Sequence, residues 1–286
     1  MTEQGVFSWQ ELLAPLMGKR PLVAGIVNAT PDSFSDGKGS VDTAERVAFA
    51  LQLLDEGADL LDIGAESTRP GAREVPPEEE WARLESVLKN ILSRRPDTVI
   101  SIDTRHSTTA VRALQAGAKI INDVSGLQFD EKMAGVIAGY QAGCILTHSA
   151  GIPEVMQEKG TVIAADTLKT VQDGLHGILS AALSAGIKSD LIMLDAGIGF
   201  GKSCAGNYEL LRNAGKLEKH FALPFCWGVS RKSLLKGEPD TMEKRIAGSL
   251  ALAVKLAEQR VSLLRVHDVA MTRAALAAAG KMEAAL

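Results

Sequence analysis

The segment LIMLDAGIGFGKS, Leu191–Ser203, decides how this chain folds. Its closing Gly-Lys-Ser invites comparison with a phosphate-cradling loop, which requires G-x-x-x-x-G-K-[ST]. Counting back from Gly201 and Lys202 puts Ala196 where the first glycine must stand, so that reading fails by one residue. Gly197, Gly199 and Gly201 are spaced G-x-G-x-G, which also misses the dinucleotide fingerprint. What remains is an apolar run that stops at an acid, Asp195, and then turns through glycines. That is a strand with a polar group at its C-terminal end.

The same unit recurs along the chain. Apolar, β-branched runs fall at 22–27, 60–64, 98–102, 119–123, 144–148, 191–195, 224–230 and 262–267, with helix-like amphipathic stretches between them. Strands alternating with helices imply parallel pairing through right-handed crossovers. Eight units without a linker or low-complexity break predict an α/β fold, a single (β/α)8 TIM barrel, at residues 21–286, with residues 1–20 as a short N-terminal extension. An open doubly wound sheet is the rival, and the polar strand ends argue against it. Asn28, Asp62, Asp103, Asn122 with Asp123, His148, Asp195, Ser230 with Lys232, and Arg265 with His267 each end a run. In a barrel those positions converge on one mouth, where the chemistry of this architecture sits.

Bulk properties bound the function. A net charge of −4 over 286 residues offers nothing to attract nucleic acid. Cys144, Cys204 and Cys226 are odd in number and far apart, which suits buried free thiols in a reducing cytoplasm. The N-terminal sequence lacks the pattern of a secretory signal, and no apolar run is long enough to span a membrane.

Four constellations carry chemistry. NATPDSFSDGKGS, Asn28–Ser40, is a long loop after the first strand, and its Phe34 is wasteful unless it closes over something. DIGAESTRPGAREVPPEEE places Thr68, Arg69 and Pro70 in the second strand-end loop. Asp103, Asn122 and Asp195 converge where carboxylates could pair with a flat, nitrogen-rich ring through parallel hydrogen bonds. Metal binding by the acids is the alternative, although no histidine accompanies them at ligand spacing. Ser230, Arg231, Lys232 and Ser233, with Arg265 and His267, follow the last two strands, a common anion site in barrels. Arg265 and His267 alternate about Val266 and so share a face, where they are expected to join Lys232 in a cationic patch. His106, His176 and His220 read as surface or satisfied neighbours on helices, and His148 as a supporting residue of the mouth.

NATPDSFSDG, ESTRPGA, SIDT, INDVSG, GIGFGK, GVSRKS and RVHD occur in the order found in the dihydropteroate synthase family, which this chain resembles from about Leu22 to Arg273. The resemblance implies a (β/α)8 barrel, a homodimer, a place among the targets of sulfonamides, and Mg²⁺ as cofactor. It implies condensation of 6-hydroxymethyl-7,8-dihydropterin diphosphate with 4-aminobenzoate, giving 7,8-dihydropteroate and diphosphate in folate biosynthesis. Carried over by position, Asn28 would meet the Mg²⁺ through the diphosphate, with Asp36 helping. Asp103, Asn122, Asp195 and Lys232 would hold the pterin, with Phe200 in the glycine turn beside it. Phe34, Thr68, Pro70 and Ser233 would frame the aminobenzoate, and Arg69, Arg265 and His267 the diphosphate. Asp103, Lys232, Asp36 and Arg69 are the implied catalytic set. Ala65, Ala196 and the Thr147 and Ser149 that flank His148 depart from the family pattern without removing any of these groups. Two other readings are a pterin-dependent methyltransferase, which needs no cationic diphosphate site, and a pterin-binding paralogue without synthase activity.

Overall fold

Eight parallel strands close into a barrel in sequence order, the last pairing with the first. The structure is a computed structural model, and it describes residues 7–30, 42–67, 72–151, 162–163 and 165–283. The strands are β1 Leu22–Asn28, β2 Leu60–Gly64, β3 Ile100–Asp103, β4 Ile120–Asp123, β5 Gly143–Thr147, β6 Ile192–Asp195, β7 Phe225–Trp227 and β8 Leu263–Val266. The helices are α1 Trp9–Leu13, α2 Thr43–Asp55, α3 Pro77–Arg94, α4 Ser107–Gln115, α5 Met133–Tyr140, α6 Thr167–Ser184, α7 Cys204–Arg212, α8 Ala214–Phe221, α9 Met242–Glu258 and α10 Val269–Glu283. The seventh strand is shorter than the expected 224–230, because Gly228 ends the extended run and Arg231 adopts a left-handed φ of 57°.

Alternation along each strand sorts the side chains into two cores. Outward residues such as Val23, Leu61, Ile63, Ile102, Ile121, Leu146, Leu194 and Leu264 pack beneath the helices in one large cluster. Inward residues Leu22, Ala24, Leu60, Ile120, Ile145, Met193, Cys226 and Leu263 fill the lower barrel as a second cluster. This period-2 division is what a strand buried on both faces requires.

The N-terminal extension belongs to that inner core. Trp9, only 1% exposed, lies among the lower inward residues. Its indole Nε1–H donates to the carbonyl of Cys144 at 3.3 Å and that of Leu191 at 3.0 Å, tying β5 to the start of β6. A buried indole needs such a partner, and here the partners are carbonyls at the bottom rim. Phe7 packs edge-on against the indole, with ring centroids 5.0 Å apart. Through Trp9 the described part of this short N-terminal extension packs into the apolar floor of the barrel.

Candidate active site

At the opposite end the inward positions turn polar. Asp62 of β2, Asp103 of β3, Asn122 of β4, Asp195 of β6 and Arg265 of β8 all point into the upper barrel, one inward step or more above the apolar floor. Arg265 lies at their centre. Its Nε donates to Asp62 Oδ2 at 2.5 Å and its Nη2 to Asp103 Oδ2 at 2.8 Å. Asn122 Nδ2 donates to the same Asp62 oxygen at 3.1 Å. Burial pushes the Asp103 carboxyl above the usual carboxylate range, and Asp62, Glu80 and Glu66 add to the rise while Arg265 opposes it. Burial also raises Asp195, against the pull of Lys232. Burial opposes the Arg265 charge too, but its two acidic partners more than offset that and hold it firmly protonated.

The glycine turn after β6 shapes the next part of the site. Gly197, Gly199 and Gly201 have φ of 67°, 84° and 66°, a region that side-chain-bearing residues rarely adopt. At Gly197 a Cβ would also run into the backbone oxygen of His148. Asp195 Oδ1 accepts from the Gly197 N–H at 2.7 Å, and Asn207 Oδ1 accepts from the Gly199 N–H at 2.7 Å. Lys202 does not reach for phosphate. It is 4% exposed, and its ammonium donates to the carbonyls of His148 at 2.9 Å, Gly197 at 2.9 Å and Phe200 at 3.0 Å. Burial lowers its pKa to about 7, with Asp195 acting against the fall. The lysine that resembled a phosphate-binding residue is the pin of the turn.

Lys232 comes from beyond β7. Its Nζ donates to the Ile198 carbonyl and stands 4.7 Å from the centre of the Phe200 ring, a cation–π contact that fixes both side chains at the mouth. Burial lowers its pKa to about 8, with Asp195 acting to raise it. The expected cationic patch takes a different form. Arg265 is held between two acids, and Arg231 turns away to a fork-like pair with Asp268. His267 Nδ1 lies 3.0 Å from Ser230 Oγ, which also accepts from the His267 backbone N–H at 3.2 Å. Ser233 is exposed at the start of a single 3-10 turn, and Asn28 is exposed at the end of β1. Phe34, Asp36, Thr68, Arg69 and Pro70 lie outside the described residues. Beside Phe200, a cavity of about 220 Å³ opens between Val124, Ser125, Phe129 and Ser149.

Three features were missed in the sequence. Asp62 stood among the polar strand ends without a role, although its spacing from Leu60 puts it on the inward face. Glu66 binds Arg105 at 2.8 Å in a nearly dry ion pair, with the guanidinium 4.1 Å above the Phe129 ring. His106, expected as a surface or satisfied neighbour on a helix, is not at the surface but buried just before α4, edge-on to Phe129. His148 is buried against Gly174 of α6, and burial lowers its pKa to about 4. His176 and His220 do face solvent, with their Nε2 atoms 3.0 Å apart.

Residues 24–267 match the family model described as pterin binding enzyme, and the chain belongs to that family. A dihydropteroate synthase of Neisseria meningitidis serogroup B is 40% identical over 264 residues, 90% of this chain and 91% of the relative. The structure of the Yersinia pestis dihydropteroate synthase with a sulfonamide drug complex superposes with a TM-score of 0.84 at 36% identity, covering 93% of this chain and 95% of that one. That of Xanthomonas albilineans dihydropteroate synthase in complex with 7,8-dihydropteroate gives 0.80 at 36% identity, covering 93% and 95%. Within the family, the chain stands with the dihydropteroate synthases.

Proposed function

We infer that the chain is a transferase that joins 6-hydroxymethyl-7,8-dihydropterin diphosphate to 4-aminobenzoate, releasing diphosphate. The observation that carries this is the inward set Asp103, Asn122, Asp195 and Lys232 at the mouth of a barrel 40% identical to a dihydropteroate synthase. A pterin edge presents ring N–H and amino donors beside a carbonyl acceptor. Asp195, with one oxygen already bound to the Gly197 N–H, keeps its other oxygen for such a donor. Lys232 supplies an acceptor's partner, and Phe200 a flat apolar wall.

Departure of diphosphate leaves positive charge on the pterinylmethyl group. Asp103, raised by burial but paired with the protonated Arg265, would supply the negative charge that stabilises it, and such electrostatic stabilisation is the larger part of this kind of catalysis. The neutral amine of 4-aminobenzoate then attacks from the side framed by Ser233 and, in the same reading, Phe34, Thr68 and Pro70. Asp36 and Arg69 complete the catalytic set. The leaving diphosphate would lie against His267 and Arg69, with Arg265 reaching it only by yielding one of its acidic partners.

Mg²⁺ fits the donor set as an ion carried by the substrate. Among the described residues no cluster of three or more His, Cys, Asp or Glu could cage a metal, whereas Mg²⁺ is often held by substrate phosphates and one or two protein oxygens. The exposed Asn28 would offer its amide oxygen, and the ion would supply charge neutralisation of the diphosphate. A homodimer is supported by Met242 on α9 and Met271 on α10, exposed by 48% and 49% on neighbouring helices. A cytoplasmic setting is supported by the free cysteines, Cys144 and Cys226 buried as expected and Cys204, against expectation, exposed at the start of α7. No described helix is long and apolar enough to cross a membrane. Sulfonamides would compete for the aminobenzoate side.

The test is an assay of diphosphate release and dihydropteroate formation with both substrates and Mg²⁺. Stoichiometric appearance of both products is expected. Diphosphate release that ignores 4-aminobenzoate, or no product at all, overturns the reading.

A further inference from the structure

Asp62 sits in the middle of β2, 1% exposed, and pairs in register with Ser101, two residues below Asp103. It therefore lies one layer deeper than the residues that face the mouth. One of its oxygens, Oδ2, takes both Arg265 Nε and Asn122 Nδ2, while Oδ1 has no partner although it is buried. A buried carboxylate with one bare oxygen costs stability rather than adding to it. Its hydrogen bonds must be explained by what they hold.

They hold two side chains of the mouth in one orientation each. A carboxylate only accepts, so the Asn122 atom facing Asp62 must be the amide nitrogen. That removes the ambiguity of the amide: Oδ1 and the second N–H of Asn122 are left for a ligand. Arg265 is similarly divided, with Nε on Asp62 and Nη2 on Asp103. When Asp103 turns to a ligand, Arg265 still has Asp62 and keeps its place.

We propose that Asp62 is a positioning residue for pterin recognition, acting through Asn122 and Arg265 from beneath the site. The proposal rests on the transferase reading, but its main measurement does not need turnover. Titration of 6-hydroxymethylpterin, without diphosphate, against wild type and Asp62→Asn is expected to show an affinity loss of about ten-fold or more. The KM for 4-aminobenzoate should stay within about two-fold, a split that general loosening of the fold would not give. In the background Asn122→Ala, adding Asp62→Asn should weaken the pterin much less than it does alone, because contacting residues couple. Unchanged pterin affinity, or losses that simply add in the double variant, would overturn the proposal. If Asp62→Asn does not fold, Asp62→Ser is read in its place; if neither folds, Asp62 serves the fold and the proposal fails. Wild type that binds the pterin yet forms no dihydropteroate would refute the synthase reading and leave this one standing.

Discussion

The two ends of the barrel interior are built on the same strands and differ by a single inward step. Leu60 is followed by Asp62, Ile120 by Asn122, Ile145 by Thr147, Met193 by Asp195 and Leu263 by Arg265. The lower member of each pair packs in the apolar cluster closed by Trp9; the upper one is polar and lies toward the mouth, Asp62 the deepest of them. Floor and site thus share one backbone, with roughly 7 Å between layers. The lesson is that the floor can be made rigid by packing alone, which leaves the mouth free to hold charges that packing would never favour.

That contrast breaks if either end behaves like the other. The largest effect is expected at the floor. Trp9→Ala should lower unfolding stability by about 3–5 kcal/mol, from lost packing and the loss of both indole hydrogen bonds. Chemical denaturation measures it, and turnover well below the midpoint should be unchanged. A large fall in kcat with little loss of stability would mean the floor controls the site directly. At the mouth, Asp103→Asn should reduce turnover by about 100- to 1,000-fold while melting stays near wild type, since charge is removed and size kept. Steady-state kinetics beside thermal melting decide it, and activity within a few-fold of wild type would remove Asp103 from its assigned role.

Lys202→Met probes the boundary between the two. It takes the ammonium from three carbonyls, of His148, Gly197 and Phe200, of which Gly197 keeps the Phe200 N–H, and should cost about 1–3 kcal/mol while raising the KM for the pterin substrate. Loss of stability without a change in KM would place the glycine turn with the scaffold and not with the site. The smallest effect lies behind β3. Glu80 is fully buried, accepts from Thr104 Oγ1 at 2.9 Å, and burial pushes its pKa from 4.5 to about 7. The folded state therefore holds this proton more tightly than the unfolded one. The resulting stability is present below about pH 4.5 and is lost as pH rises through about 7. Glu80→Gln should flatten that decline, leaving the variant ahead of wild type by on the order of 1 kcal/mol at pH 8 in denaturant titrations. Parallel curves from pH 5 to 8 would show that the buried acid is not what titrates.

Much of this architecture was legible because strands announce themselves by period-2 apolar runs and by the polar residue that stops them. The ends at Asp103, Asn122, Asp195 and Arg265 were found that way. Parity says which face a residue takes, however, and not whom it meets. Arg265 and Asp62 are 203 residues apart, and nothing local in RVHD reveals that its arginine is shared between two acids instead of standing free beside Lys232. Arg231, next to Lys232, reads as part of the same cluster, yet its left-handed backbone sends it to Asp268. Trp9 was hidden for a related reason. Five helical residues ahead of the first strand carry no periodic signal, and their meaning lies wholly in carbonyls at positions 144 and 191. Lys202 shows the opposite hazard, a familiar-looking tripeptide whose lysine is spent on backbone oxygens.

The indole at the barrel floor also sets an order of events during synthesis. Trp9 leaves the ribosome 182 positions ahead of its second hydrogen-bond partner, Leu191. At roughly 5–20 residues per second, the side chain waits on the order of 10–40 s before both acceptors exist. Throughout that interval the lower faces of the early strands have no lid. The nascent chain is then most exposed to unwanted association at the very surface that later makes the finished barrel rigid.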